Sequence, residues 1–311
     1  ELIQLTDETR KKRSHDLMAA IVHASVKILP EKFWEGYRGD VVLDATFLET
    51  KGRRNFDGYD CRNADFCGGL YSLRGDHSPD GKSDNLYGHE LETAITADLA
   101  NGNCAFGLIT GAVIHRPGRI TNGGREALKQ HMKFSPKAGT VVTDRAYNSL
   151  KPDNFQEHIC RAGYWATFDY PATQRGLQVF LPDYKAIQVD GTMYVEYMPE
   201  QLRNFTKRWF SKIPNPDTGK PYTYKELRTL LAKRAAYEIK PHGRPNANLS
   251  QRFTYPEPTS YTGVDAATGR VPKRKPKGRF SLTLTPALLK NMQHHAWGSA
   301  RWRREMGQRN H

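Results

Sequence analysis

Two short apolar runs, each carrying one aspartate, constrain this chain more than any other feature. Residues 41–50 read VVLDATFLET and residues 140–149 read TVVTDRAYNS. Runs of Val, Leu and Thr bounded by glycine are expected to be buried strands. A carboxylate set in such a run is costly unless it is hydrogen-bonded, paired or bound to a cation. A single aspartate closing a strand is ordinarily a turn-former or a helix N-cap. Two of them, Asp44 and Asp144, on separate strands with the element order below, form a candidate site for metal binding and catalysis.

Periodicity gives that order. Residues 8–29 have helical spacing through Leu17, Met18, Ile21, Val22, Val26 and Leu29, and Pro30 closes the segment. The first strand covers 41–48. Residues 51–85 are rich in Gly, Asp, Asn and Ser and are expected to be a long irregular excursion, with Arg53 and Arg54 as phosphate contacts. Strands follow over 86–99 and 105–115, joined through Asn101-Gly102 as a hairpin turn. A helix over 123–134, a strand over 140–146, a helix over 152–162 and a strand over 163–170 complete a β-β-β-α-β-α-β series. Three meandering strands followed by two reached through helices predict an α/β mixed sheet of RNase H-like type.

After residue 171 the pattern changes. Residues 172–280 are expected to be an insertion, mostly strand and loop, with a hairpin at Asp190-Gly191, a helix over 224–239 and little regular structure over 240–280. Thr285-Pro286 signals a helix start, with a helix to at least Ala296 and another from Ser299. The expected organisation is a helical segment (1–39), the first part of the catalytic core (40–171), the basic insertion (172–280) and a helical C-terminal part of the core (281–311). The chain opens without methionine and stops in a polar run, so it reads as a fragment.

Charge is distributed unevenly. Residues 1–200 carry 24 Lys and Arg against 27 Asp and Glu, whereas residues 201–311 carry 23 against 6. The second part therefore holds the entire net charge of +14 and more, which points to a nucleic-acid-facing region. Its densest run supplies Lys273, Arg274, Lys275, Lys277 and Arg279 as candidate DNA contacts, and Arg145 stands beside Asp144. The four cysteines lack a C-x-x-C pair, in keeping with a reducing cytoplasm. Cys61, Cys67, His77 and His89 match no common zinc spacing. Trp209, Phe210, Trp297 and Trp302 read as packing aromatics before base-stacking ones, and His294-His295 as a solvated pair on a helix. No apolar run approaches the ~18–20 residues of a membrane span.

Four segments in this order resemble bacterial insertion-sequence transposases of the DDE type. LDATFLET is similar to the first-aspartate strand of that family, LYGHELETAITADLANG to the following strand pair, TVVTDRAYNS to the second-aspartate motif, and WRREMGQRNH to the approach to the third acidic residue. The resemblance implies an RNase H-like catalytic domain that uses two Mg2+ or Mn2+ ions, held by Asp44 and Asp144. It implies hydrolysis at the ends of a mobile element and strand transfer into target DNA, in a homodimer assembled on double-stranded DNA near the bacterial nucleoid. The family's third carboxylate falls beyond His311, so Glu305 is the nearest substitute and Glu238 a second. An inactive, domesticated DNA-binding derivative and a structure-selective nuclease on the same fold are the alternatives.

Overall fold

The computed structural model describes residues 7–50, 68–73, 84–98, 107–117, 122–135, 137–264, 269, 271–272 and 274–310. The chain divides into two compact units, residues 1–138 and 139–310. Strands pair antiparallel in the first unit and both ways in the second, with helices flanking them, a mixed α/β architecture.

In the first unit, α1 (Asp7–Lys27) ends before Pro30, as its periodicity predicts. Val26 is buried and Met18, Val22 and Leu29 are half-buried, as the expected face requires, but the packed face is shifted at Leu17 and Ile21. Leu17 and Ile21 are 62% and 61% exposed, while Ala19 and Val26 are buried. The histidines of that face reach neighbouring backbone carbonyls, His15 Nε2 at 3.3 Å from Ile114 O and His23 Nε2 at 3.1 Å from Thr110 O. Amphipathic imidazoles thus take places that the apolar stripe had suggested for leucine and isoleucine.

Strand β1 (Val41–Glu49) pairs antiparallel with the long strand β3 (Asp84–Thr96), Asp44 standing opposite Thr93. The other edge of β3 is shared. Strand β2 (Gly69–Leu73) pairs along residues 84–88 and β4 (Ile109–His115) along 90–95. Strand β2 lies inside the stretch expected to be irregular; Asn101-Gly102 falls outside the described residues. Helix α2 (Gly123–Phe134) has the predicted bounds, and its Gln130 Oε1 accepts from Ala112 N of β4 at 2.8 Å.

The second unit opens with β5 (Thr140–Val142), parallel to β6 (Trp165–Thr167). Strand β5 is shorter than its sequence suggests because Asp144 caps helix α3 (Arg145–Ser149) instead of continuing the strand. Helix α4 (Gln156–Arg161) leads back to β6. Strands β7 (Leu177–Leu181), β8 (Ala186–Val189) and β9 (Thr192–Val195) form an antiparallel sheet. The β8–β9 turn is the predicted Asp190-Gly191, with φ of 45° and 75°, the paired positive values of a type I′ hairpin. A Cβ on Gly191 would strike Asn291 O and the Tyr170 hydroxyl, so this turn needs glycine for space as well as for φ.

Two helices, α5 (Glu200–Phe210) and α6 (Tyr224–Ala235), follow, and only the second is expected from the sequence. Residues 240–280 also hold more order than predicted. Strands β10 (Lys240–His242), β11 (Ser250–Thr254) and β12 (Arg279–Thr283) make a second antiparallel sheet. Its register is marked by Phe253 opposite Phe280, rings stacked at 5.5 Å. The last helices are α7 (Pro286–Asn291), capped by Thr285, and α8 (Ala300–Gly307), capped by Ser299. Helix α7 stops five residues short of the predicted end. There Gln293 N donates to Gly191 O and His294 N to Ala166 O, tertiary bonds that draw the backbone out of the helix. One core joins the insertion to α7 through Ile187, Val195, Met198, Phe205, Phe253, Leu288 and Leu289.

Within this core Asp190 is buried with Arg234. The carboxylate accepts from Gly176 N at 2.8 Å, Thr206 Oγ1 at 2.7 Å and Arg234 Nη1. Removing one partner of a buried, hydrogen-bonded pair leaves an uncompensated charge. Arg234→Met is therefore expected to lower the unfolding free energy by about 3–5 kcal/mol in urea titration, and Asp190→Asn added to it to restore part of the loss. In the first unit His131 is fully buried, with Thr110 Oγ1 2.7 Å from its Nδ1. Burial pushes its pKa down to about 4. Because the unfolded imidazole takes a proton below about 6.5 and the native one does not, stability falls as pH drops from about 6.5 towards 4, by about 3 kcal/mol. Urea titrations at pH 7 and pH 5 check this, and His131→Gln flattens the slope.

Candidate functional site

Asp44 sits in the first unit, at the point in β1 where the side chains pass from buried (Val41, Val42, Leu43) to open. Its Oδ1 accepts from Ala45 N at 3.1 Å, and its own carbonyl accepts from Thr93 Oγ1 at 3.2 Å. Asp144 belongs to the second unit. It has extended backbone two residues beyond the end of β5, and its Oδ1 accepts from Ala146 N at 2.8 Å and Tyr147 N at 3.4 Å. The N-cap role therefore holds for Asp144, and it uses only one of the two oxygens. Oδ2 faces Arg309 Nη2 at 3.8 Å, an ion-pair distance longer than a hydrogen bond.

Helix α8 and the 3-10 turn that follows it (Gln308–Asn310) bring two groups to the β5–β6 pair. Glu305, 5% exposed, accepts from Thr167 Oγ1 of β6 at 2.5 Å through Oε2. Four residues on, Arg309 reaches Asp144. Thr167 stands opposite Val142 in the parallel register, so Glu305 lies one strand over from Asp144 and two residues back along the strand direction. The other oxygen, Oε1, lies 3.3 Å from His294 Nδ1 and 3.3 Å from His295 Nε2. Burial pushes the Glu305 carboxyl up, but hydrogen bonds from His294, His295 and Thr167 and the His295 charge outweigh it and hold it at about 2. The histidine pair is thus not a solvated pair on a helix. Both residues lie past the end of α7 and converge on one carboxylate.

The two aspartates offer hard carboxylate oxygens, the donors that magnesium and manganese take. With Asp144 Oδ2 outside the capping bonds, that residue fits such an ion. Glu305 fits less well, since both of its oxygens already have partners in the α8–β6 cluster.

Of the expected DNA contacts, Arg53, Arg54 and Lys273 lie outside the described residues. Arg145 is exposed at the first position of α3 beside Asp144, and Arg274, Lys277 and Arg279 are exposed. Lys275 is turned inward, donating to Pro258 O at 2.8 Å and to Tyr261 O at 2.5 Å. The aromatics pack as expected. Phe210 and Trp297 enclose Arg175, whose guanidinium carbon lies 3.5 Å and 4.5 Å from the two ring centroids, and Trp302 sits 5.4 Å from Trp297.

The sequence reading passed over one buried polar cluster. Glu90 and Glu92, 7% and 0% exposed, share a face of β3, and His115 of β4 lies 3.3 Å from Glu92. Burial pushes the His115 pKa down, but Glu92 and the Arg116 carbonyl outweigh it and raise it above the ordinary value. Its signal was Glu-x-Glu at strand period in an otherwise apolar run. Comparison with protein-family models, with characterised proteins and with solved structures returned no match to this chain. Among the described residues no helix is long and apolar enough to cross a membrane.

The cap and the charge of Asp144 can be separated. Asparagine caps a helix about as well as aspartate, whereas alanine does not. Asp144→Asn is expected to keep wild-type stability within about 0.5 kcal/mol, and Asp144→Ala to lose about 1 kcal/mol, as read by thermal or urea unfolding.

Proposed function

We propose that this chain is the catalytic region of a DDE-type DNA transposase with an RNase H-like core. The observation that carries the reading is the setting of Asp144. Its carboxylate stands just past the end of a parallel strand pair, held by two backbone N–H groups through one oxygen, with the other outside the cap and 3.8 Å from Arg309 Nη2. Ligands of open α/β sheets bind outside the carboxyl ends of the strands. A carboxylate fixed by its own helix cap is a rigid donor at that edge. Asp44, at the buried-to-open transition of β1, is the second proposed donor.

Two divalent ions, when bound by such carboxylates, activate a water or 3′-hydroxyl and stabilise the leaving oxygen at phosphorus. The chain's own residues have the remaining tasks. Asp44 and Asp144 hold negative oxygen donors on strand-supported backbone. Exposed Arg145, next to Asp144, is suited to a DNA phosphate, where a guanidinium can bind two oxygens at once. The excess of 23 basic over 6 acidic residues in 201–311 supplies the sequence-independent attraction to DNA. The element order, the four motif segments and this charge division support the reading together. The homodimer on DNA and the nucleoid setting belong to the same proposal.

The test is cleavage of DNA duplexes that carry the sequences flanking the gene, where this reading predicts inverted repeats. Nicking at the repeat ends with Mg2+ or Mn2+, none in a chelator, and loss to background in Asp44→Asn and in Asp144→Asn are the expected results. The second variant keeps its helix cap, so its loss would report chemistry and not folding. Cleavage that needs no divalent metal, or that survives both substitutions, overturns the proposal.

A further inference from the structure

Where residues 292–299 join α7 to α8, two imidazoles meet one carboxylate oxygen. His294 Nδ1 and His295 Nε2 each stand 3.3 Å from Glu305 Oε1, and one donor atom from each of the three residues falls within 4.8 Å of the others. Hydrogen bonds from nitrogen to oxygen run about 2.7–3.2 Å, and charge-assisted ones are shorter still. Two contacts of 3.3 Å on a single buried oxygen are at the long end of the hydrogen-bond range. The two histidine–glutamate separations match another geometry. Ligands about 2.0–2.1 Å from a tetrahedral zinc ion stand about 3.3 Å from one another.

We propose that His294, His295 and Glu305 form a binding site for a borderline divalent transition-metal ion of the zinc type, separate from the carboxylate site assigned to DNA cleavage. Imidazole nitrogen suits zinc and its neighbours and disfavours magnesium, which takes oxygen. An outer layer of partners holds the donors. Thr167 Oγ1 donates to Glu305 Oε2, and the His294 backbone N–H donates to Ala166 O. Such outer partners orient metal ligands in known sites. The rings of the two histidines overlap at 3.9 Å with 24° between their planes, so a shared ion requires them to open. His294 is stacked on Trp165 at 5.1 Å and 6°, and the turn therefore falls to His295.

The site has an open side. His294 and His295 line a cleft of about 630 Å³ together with Trp165, Lys240, Arg244 and Arg301. Three protein ligands and an accessible fourth position characterise zinc sites that exchange a ligand. The cleft wall carries Lys240, Arg244 and Arg301 against one acid, Glu238, a balance that favours an anionic ligand.

The test is zinc binding to the full chain, purified metal-free and checked for folding by circular dichroism. One equivalent of Zn2+ per chain is expected by calorimetry, with a change in tryptophan fluorescence from Trp165. Co2+ in its place should give the intense visible absorption of a tetrahedral site. His295→Ala, whose ring borders the cleft, and Glu305→Gln should each weaken binding by more than about a hundredfold, beyond the ten- to hundredfold expected of an outer partner in Thr167→Val. Asp44→Asn and Asp144→Asn should leave it unchanged, so this proposal and the cleavage reading fail separately. Absence of zinc binding, binding indifferent to both ligand substitutions, or displacement of zinc by equimolar magnesium overturns it.

Discussion

Carboxylates wholly or partly withdrawn from water are the constraint on which the second unit of this molecule is built. Each must find donors, and the manner in which it does so divides structural groups from those with capacity left for a ligand. Asp190 is fully engaged by Gly176, Thr206 and Arg234, and it ties the β8–β9 turn to α5 and α6. Glu305 joins α8 to β6 and to the loop after α7 through Thr167 and the two histidines. Asp144 engages one oxygen in a helix cap and presents the other to Arg309. The same physical demand yields a structural pair, a nitrogen-rich cluster and a partly engaged acid at a strand end.

Local signals carried far where one segment decided its own conformation. Helix α2 has the expected bounds, the Asp190-Gly191 turn is a hairpin, and Thr285 and Ser299 cap the helices that their side chains announced. Expectations failed where distant partners intervened. Strand β5 ends at Val142 because the Asp144 side chain competes for the backbone. Helix α7 ends at Asn291 because Gly191 O and Ala166 O take the next N–H groups. Strands β10–β12 were hidden by prolines and by the low apolar content of residues 240–280, although Phe253 and Phe280 supply a cross-strand anchor. Helix α5 was legible in Leu202, Phe205 and Trp209 at helical spacing, but it follows a strand pair whose period drew the reading away.

The candidate site was legible to a similar degree. Asp44 and Asp144 stand out because aspartate is unusual in a β-branched run, and that property needs no knowledge of the fold. The histidine–glutamate cluster was not legible. Its histidines are adjacent and its glutamate lies ten residues past the second, their meeting depends on where α7 breaks, and neighbouring histidines on a continuous helix would diverge. Basic residues in a run were a poor guide individually: Lys275 turns inward to two carbonyls while Lys277 stays exposed. The division of charge along the chain does not depend on the orientation of any one side chain.

The proposed chemistry requires Asp44 and Asp144, a hundred residues apart in the chain, to serve the same pair of cations. Anomalous diffraction at the manganese edge, from crystals of the protein with Mn2+ and a DNA duplex, measures this directly. The account predicts anomalous peaks bonded to the carboxylates of both aspartates, with a DNA phosphate beside them. Manganese bound elsewhere, with the two carboxyl groups more than about 10 Å apart and unable to bridge a metal pair, would contradict it.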